Sequence, residues 1–364
     1  MNPNQFVGKR IGNYVIKNII GQGGFSSVYI AEEILQNNES TKDNKINERR
    51  NETNASSAKN CVACKIIPRE KFEKQKLTKR LDQEIRVHQM MHHPNVVQLI
   101  DIQKDSKFYY IFLEFCPSGE LLQIITSSRK ISEIEAAIIF KQILIGLQYI
   151  HSLNVAHRDL KLENILVGQY GQIKIADFGL SKLLDIKSKG FTNTPCGSAF
   201  YVSPECISGL PYDGKKSDIW SCGVILYAIT TGSFPWTRKN QFQLFKQIKK
   251  GDYKIPYYIS DNCSDLIRRL LTVDHNKRIT IDEALIHPFL KNISFPSTLQ
   301  EFKFVSLRKI DRILGFDEDF EYNDMITIIA KETSGSDCKI ESNFFKIRKG
   351  LSDIKLEDEK KVIN

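Results

Sequence analysis

Residues 157–164 read H-R-D-L-K-L-E-N and, a short interval later, residues 177–179 read D-F-G. The interval is ILV-GQYG-QIKIA: an apolar run, a glycine-bounded turn, and an alternating run that carries Ile173 and Ile175. Such a pattern predicts a β-hairpin. An antiparallel hairpin brings its two ends together, which makes Asn164 and Asp177 neighbours. Two side-chain oxygens at one point suit Mg²⁺, which takes few protein ligands and completes its shell with water and phosphate. Asp159 and Lys161 lie just upstream and therefore near the same point. A solvated surface loop is a poor account of so many functional groups gathered together.

Upstream, residues 21–28 read G-Q-G-G-F-S-S-V. A dinucleotide fingerprint needs a helix directly after its glycines, but Val28, Tyr29 and Ile30 continue as a strand. A Walker loop needs a closing Gly-Lys-Ser/Thr, and no lysine is present. Two readings stay open on the cluster alone. One is a plain glycine-rich turn. The other is a flexible hairpin at Gly21, Gly23 and Gly24 whose backbone N–H groups cover the phosphates of a nucleotide.

Residues 61–65 read C-V-A-C-K. In a strand, Cys61 and Cys64 point to opposite faces and cannot easily share a metal or form a bond. A structural zinc site would also want a second Cys-x-x-C pair, which the chain lacks. Ala63 and Lys65 share the other face, where a small residue leaves space for a flat ring with an ammonium beyond it. Such a lysine needs a carboxylate anchor. Glu84, in L-D-Q-E-I-R-V-H beside Leu81, Ile85 and Val87, is the candidate, although without the other motifs it reads better as a solvated helix charge.

With 364 residues, 41% hydrophobic and 26% charged, the chain can bury a large core in two domains or lobes. The net charge of +9 is concentrated in part between Lys42 and Arg80, so no nucleic-acid partner is expected. The N-terminus shows no apolar signal run. The uncharged stretch from Ile219 to Thr237 is short for a bilayer span and predicts a buried core helix, so no membrane span is expected. Eight scattered cysteines read as reduced thiols. Tyr14 to Ala31 predicts two strands and a tight turn, Cys61 to Ile67 a strand, and Glu70 to Met91 a helix. From Glu133 to Leu290 the spacing is mainly helical. The polar segment at about 36–60 predicts a disordered insertion. A strand-rich first third and a helix-rich remainder give an α+β fold in two lobes.

These motifs resemble, in order, the signature set of the eukaryotic protein kinases, from about Tyr14 to Leu290. The resemblance implies a bilobal kinase domain at 14–290 and a C-terminal extension at 291–364. It implies ATP and Mg²⁺ as cofactors. Lys65 would contact the α- and β-phosphates and pair with Glu84. Asp159 would accept the proton of the substrate hydroxyl, Lys161 would sit near the γ-phosphate, and Asn164 and Asp177 would hold the metal. Glu205 would pair with Arg278 to brace the helical lobe. Val28 and Ala63 would border the adenine pocket, with Leu113 as its gatekeeper. The backbone of Glu114 and Cys116 would bond the adenine edge. Ser26 replaces the third loop glycine, and Ser203 the alanine of Ala-Pro-Glu. His88 stands where kinases often carry an aliphatic residue, and reads as a neutral, packed histidine.

Lys161, two residues after Asp159, is similar to the serine/threonine class. K-L-E-N, F-G-L-S-K and C-G-S-A-F-Y-V-S-P-E look most like the calcium/calmodulin-dependent superfamily, on its AMP-activated and sucrose-non-fermenting-related branch. Glu120 matches an acidic position that reads a basic residue three before the acceptor, and Glu163 a second acidic substrate-binding position, unless they are simply solvated. Glu120 also matches a ribose contact. Thr194 matches the family's phosphorylated threonine, with Arg158, Lys182 and Arg80 as cations for its phosphate. Protein substrates, an upstream activating kinase, and a cytoplasmic or nuclear location are expected. A catalytically dead scaffold is the alternative. The tail stretch LQEFKFVSLRKIDRILGF is basic and amphipathic. It reads as a calmodulin-binding or autoinhibitory helix, as the start of a small helical module, or as a helix docked by its apolar stripe.

Overall fold

The computed structural model describes residues 4–23, 26–34, 61–70, 78–127, 131–179, 181–183, 191–192, 198–209, 211–238, 240–294 and 305–314. All of them lie in one compact unit, 1–315, while the second unit, 316–364, lies outside the described residues. The segment at 36–60 read as a disordered insertion also lies outside them.

The first part of the chain is a six-stranded antiparallel sheet. Its strands are β1 (Arg10–Ile11), β2 (Tyr14–Gln22), β3 (Ser27–Glu33), β4 (Cys61–Pro68), β5 (Leu99–Lys104) and β6 (Phe108–Glu114). Their spatial order is β1-β2-β3-β4-β6-β5. Helix α1 (Thr78–Gln89) is inserted between β4 and β5. One sheet face closes over a small core of Phe6, Tyr14, Ile16, Tyr29, Cys64, Ile66, Tyr110 and Phe112. Alternation along β4 fixes this register: Cys64 and Ile66 are fully buried, whereas Ala63 and Lys65 on the other face are half-buried. A one-residue slip would exchange the two faces.

The helical part follows, with α2 (Leu121–Ser127) and α3 (Glu133–Ser152), then the two-residue strand β7 (Val155–Ala156) and the hairpin β8 (Ile165–Val167) and β9 (Ile173–Ile175). Short strands β10 (Lys182–Leu183) and β11 (Phe191–Thr192) precede helix α4 (Pro204–Ile207) and strand β12 (Tyr212–Asp213). Helices α5 (Gly214–Thr231), α6 (Gln241–Lys250), α7 (Asp261–Leu270), α8 (Ile281–Leu285), α9 (Pro288–Lys291) and α10 (Leu307–Leu314) complete the described chain.

A capping box starts α3: the Ser132 hydroxyl accepts from the Glu135 N–H, and the Glu135 carboxylate accepts from the Ser132 N–H. Among the described residues α3 alone is long and apolar enough to cross a membrane by length and composition. Its buried face, with Ala137, Phe140, Leu144, Leu147 and Ile150, packs into the larger core. The stretch read as a buried helix is α5, which Asp213 caps and which ends at Gly232 in the left-handed region, φ 73°. Trp220, Cys222, Val224, Ile225 and Leu226 on α5 are fully buried. Each large apolar side chain of this kind contributes about 1.5–3 kcal/mol. Gly223 lets α5 approach α7 closely, because a Cβ there would lie 2.9 Å from Leu270 Cβ.

Candidate active site

Cross-strand register builds one wall of the site. Gly21 lies opposite Val28, Val28 opposite Lys65, and Ala63 opposite Leu113. These positions share the sheet face turned away from the small core. Gly23 closes the β2–β3 turn, its N–H donating to the Ser26 carbonyl at 2.8 Å. Gly24 lies outside the described residues. Cys64 sits in the core, where burial raises its thiol pKa, while Cys61 is half-buried.

Lys65 leaves this wall toward α1, and its Nζ donates to Glu84 Oε1 at 2.7 Å. Leu81, Ile85 and Val87 hold α1 against the body by their buried side chains. One turn after Glu84, His88 is buried, and its Nε2 donates to the Val97 carbonyl at 2.6 Å. Burial pushes the imidazole down to about 4, so the ring is neutral near pH 7. It packs 4.8 Å from the ring of Phe178, which lies 5.3 Å from His157. The neutral, packed histidine expected from sequence thus joins α1 to the D-F-G segment.

The connection from β6 to α2 carries Glu114 and Cys116. The Glu114 carboxylate meets the buried Lys174 ammonium at 2.6 Å, and the Glu114 N–H donates to Gln98 O at 2.9 Å. Cys116 is buried, which pushes its thiol up to about 12.

On the helical side, β8 and β9 pair antiparallel as the hairpin pattern predicts, with Ile165 opposite Ile175. The Ala176 N–H donates to Asn164 O at 2.9 Å, so the hairpin ends meet and Asp177 follows directly. Burial raises the Asp177 carboxyl, but Lys65, the Gly179 N–H, His157 and Lys161 outweigh it and hold the group below the usual carboxylate range. An ammonium from the sheet and an acid from the hairpin therefore act on one another across the cleft.

Asp159 is the hub of the neighbouring network. Lys161 Nζ donates to its Oδ2 at 2.7 Å, and Asn164 Nδ2 to its carbonyl at 2.9 Å and to Oδ2 at 3.1 Å. The Ser198 hydroxyl lies 3.3 Å from Asp159 Oδ1 and 3.3 Å from Lys161 Nζ. Asp218, fully buried on α5, holds the loop backbone from below. It accepts from the N–H groups of His157 at 2.9 Å and Arg158 at 2.8 Å, and meets His151 Nε2 at 2.9 Å. Those bonds fix Arg158 at φ 65°, a conformation rare for a residue with a side chain. Asp218 directly precedes the uncharged stretch Ile219 to Thr237 that predicts a buried helix, and neither it nor Ser198 carries a site role in the sequence motifs. A buried aspartate heading an otherwise apolar helix was the available signal, since such a charge demands partners.

Glu205 and Arg278 meet through two bonds, 2.6 and 2.9 Å, and Arg278 also donates to the carbonyls of Thr272 and Lys216. Glu120 bridges to Leu166, three residues after Glu163. Burial raises the Glu120 carboxyl, Glu163 raises it further, and Lys161 partly opposes them. Tyr201 donates to Glu163 at 3.3 Å. Thr194 and the side chains of Arg80 and Lys182 lie outside the described residues.

Comparison with known proteins agrees with this geometry. The protein kinase domain family matches residues 52–290. A probable serine/threonine-protein kinase of Dictyostelium discoideum is 40% identical over 235 residues, covering 64% of this chain and 28% of that protein. CBL-interacting serine/threonine-protein kinase 3 of Arabidopsis thaliana is 34% identical over 320 residues, covering 88% and 68%. The carbon catabolite-derepressing protein kinase of Secale cereale is 35% identical over 320 residues, covering 84% and 59%. This chain thus spans from 28% to 68% of the length of these relatives. With the family matched over the greater part of its length, the chain belongs to the serine/threonine protein kinases, on the branch related to the AMP-activated and sucrose-non-fermenting kinases.

Proposed function

We propose that this protein transfers the γ-phosphoryl group of ATP to serine or threonine hydroxyls of protein substrates. The observation that carries the reading is the convergence of Asp177 on the Lys65–Glu84 pair: a Cβ at Gly179 would lie 3.1 Å from Asp177 Oδ1 and 3.4 Å from Glu84 Oε2, the carboxylate that holds Lys65. The residues present fit a magnesium-bound nucleoside triphosphate. Asp177 is kept ionised, and Asn164 directs its amide N–H₂ at Asp159, which leaves its carbonyl oxygen as the ligating atom. Val28, Ala63 and Leu113 offer an apolar wall beside the Lys65 ammonium. When bound, the metal would neutralise phosphate charge and ATP would supply the phosphoryl group.

The chain's own part is alignment and charge. Lys65 neutralises the α- and β-phosphate oxygens and is itself aimed by Glu84. The Asp159 carboxylate orients the acceptor hydroxyl and takes its proton as that oxygen bonds to phosphorus and the bond to the leaving diphosphate breaks. Lys161 sits beside Asp159 and steadies the charge that passes between them. Ser198 marks, with its own hydroxyl, a place from which an oxygen reaches both Asp159 and Lys161.

Two finer features belong to the same reading. Glu120 with Glu163, whose charge acts on it, makes a site for a cation, which supports a basic residue three before the acceptor. Phosphorylation of Thr194 by an upstream kinase adds a charge of about −1.5 to −2 that Arg158, Lys182 and Arg80 would gather. Purified protein with Mg-ATP and a positional peptide library tests the reading. We expect labelling of serine or threonine with arginine or lysine selected at minus three, and Asp159→Asn lowering turnover by ~10²–10⁴ with ATP binding kept. Acidic or proline-directed selection removes the specificity. Equal activity of Asp159→Asn removes the role of the base, and an inactive wild-type protein that still binds nucleotide supports the scaffold alternative.

A further inference from the structure

We propose that the outward face of α6, formed by Phe242, Lys246, Lys249 and Lys250, docks the protein on an anionic lipid surface. The contact needs neither nucleotide nor acceptor, so it goes beyond the kinase reading and is tested apart from it.

The sequence loads this stretch with one sign of charge. Residues 238–250 read R-K-N-Q-F-Q-L-F-K-Q-I-K-K, five cations with no acid. Leu244 and Ile248, four apart, are buried in the larger core, and Phe245 packs against it. The opposite side of the helix then belongs to Phe242, Lys246 and Lys250, again at spacings of four, with Lys249 beside them. All four are exposed, Phe242 by 78%. Among the described residues, none of these three lysines meets a carboxylate. A plainer account covers part of this. Lys249 and Lys250 lie in the last turn, where cations favour the helix dipole. That account leaves Lys246 in mid-helix and gives no reason for a bare phenyl ring in the first turn.

The face is also preformed. Asn240 caps α6, accepting from the N–H groups of Phe242 and Gln243, and Gly251 ends it at φ 61°. The Gln247 amide ties the two ends. Its oxygen accepts from the N–H groups of Thr237 and Arg238, and its nitrogen donates to Asp252 O at 2.8 Å. Docking therefore costs no folding of the helix.

The form of the face selects among anionic partners. An acidic peptide wants a groove that buries its anchors, whereas here the aromatic ring stands out from the surface. A protruding ring among ammonium groups suits a plane that is negative at its surface and apolar beneath. Phe242 would enter the acyl boundary while the lysines stay at headgroup level. Each lysine near such a surface raises affinity about fivefold, and burying the ring about tenfold. The contact is then reversible and sensitive to salt.

The test is sedimentation of the full chain with vesicles of phosphatidylcholine containing about one-third phosphatidylserine. Wild-type protein should bind them, bind pure phosphatidylcholine vesicles at least about tenfold less, and be released as salt rises from about 0.1 M to about 0.5 M. Lys246→Gln, Lys249→Gln and Lys250→Gln together should lower the affinity about 10²-fold, and Phe242→Ala about tenfold. These side chains are exposed, so the variants keep the fold. As a control for net charge, Lys42→Gln, Lys45→Gln and Arg49→Gln together remove the same charge elsewhere and should leave binding within about twofold. Absence of vesicle binding by wild type overturns the proposal. So does equal binding by the α6 triple variant, an equal loss in the control, or an unchanged Phe242→Ala. Capture of a soluble polyglutamate peptide through the same lysines, without vesicle binding, overturns it in favour of an acidic protein partner.

Discussion

Two ion pairs, Lys65–Glu84 and Arg278–Glu205, look alike as charges and differ in everything around them. The Arg278 and Glu205 side chains are 1% and 9% exposed, with a two-pronged bond and two backbone carbonyls engaged besides. The guanidinium also lies 5.1 Å over the Trp220 ring. Lys65 and Glu84 are 22% and 17% exposed and share a single 2.7 Å bond. The first pair is bonded within one lobe and cannot open without cost to the fold. The second joins a strand to a helix, each of which can shift. A buried, multiply bonded pair serves as a brace, and a half-open, singly bonded pair can be made or broken while the protein stays folded.

The contrast can be broken in three places, in order of expected effect. Arg278→Ala leaves a buried carboxylate without its cation and should cost about 3–5 kcal/mol of stability, read as a fall in the denaturant midpoint. An unchanged midpoint would show that the brace carries no weight. Glu84→Gln should leave stability within about 1 kcal/mol, because the pair is partly solvated. It should still lower kcat about 10²-fold through misplacement of Lys65. Unfolding and activity lost together would erase the distinction between the two pairs. If Thr194 carries the activating phosphate proposed above, Thr194→Ala, in protein isolated from cells, should lower kcat about tenfold. Full activity in that variant would mean that the pair closes without help from the loop.

The parts legible from sequence were those whose meaning is local. The β8–β9 hairpin follows from a turn between two apolar runs, and it fixes Asn164 beside Asp177 without knowledge of the rest. Strand alternation alone separates Cys64 from Lys65 and shows why the lysine matters and the cysteines do not chelate together. Long-range partners were legible only where a family resemblance supplied them, as for Glu84 and Arg278. The Asp218 bonds to the His157 and Arg158 backbone span some sixty positions, and no periodicity encodes them. An amphipathic stripe announced that α10 buries one face, yet a stripe does not name its partner. That partner is α1 and β5, elements reached only through the folded sheet.

The order of the sheet carries a practical warning for anyone producing this protein as a fragment. Strand β4 is zipped to β3 from Cys61 to Ile66, although a long polar connection separates them in the chain. Cutting at residues 52 and 290, the limits of the matched kinase segment, would delete β1, β2 and β3. An open strand edge would remain, with Cys64, Ile66, Tyr110 and Phe112 uncovered beneath it. Unpaired edges above bare apolar surface invite intermolecular strand pairing. Such a shortened product would precipitate, and its silence in an assay would report on the scissors instead of the enzyme.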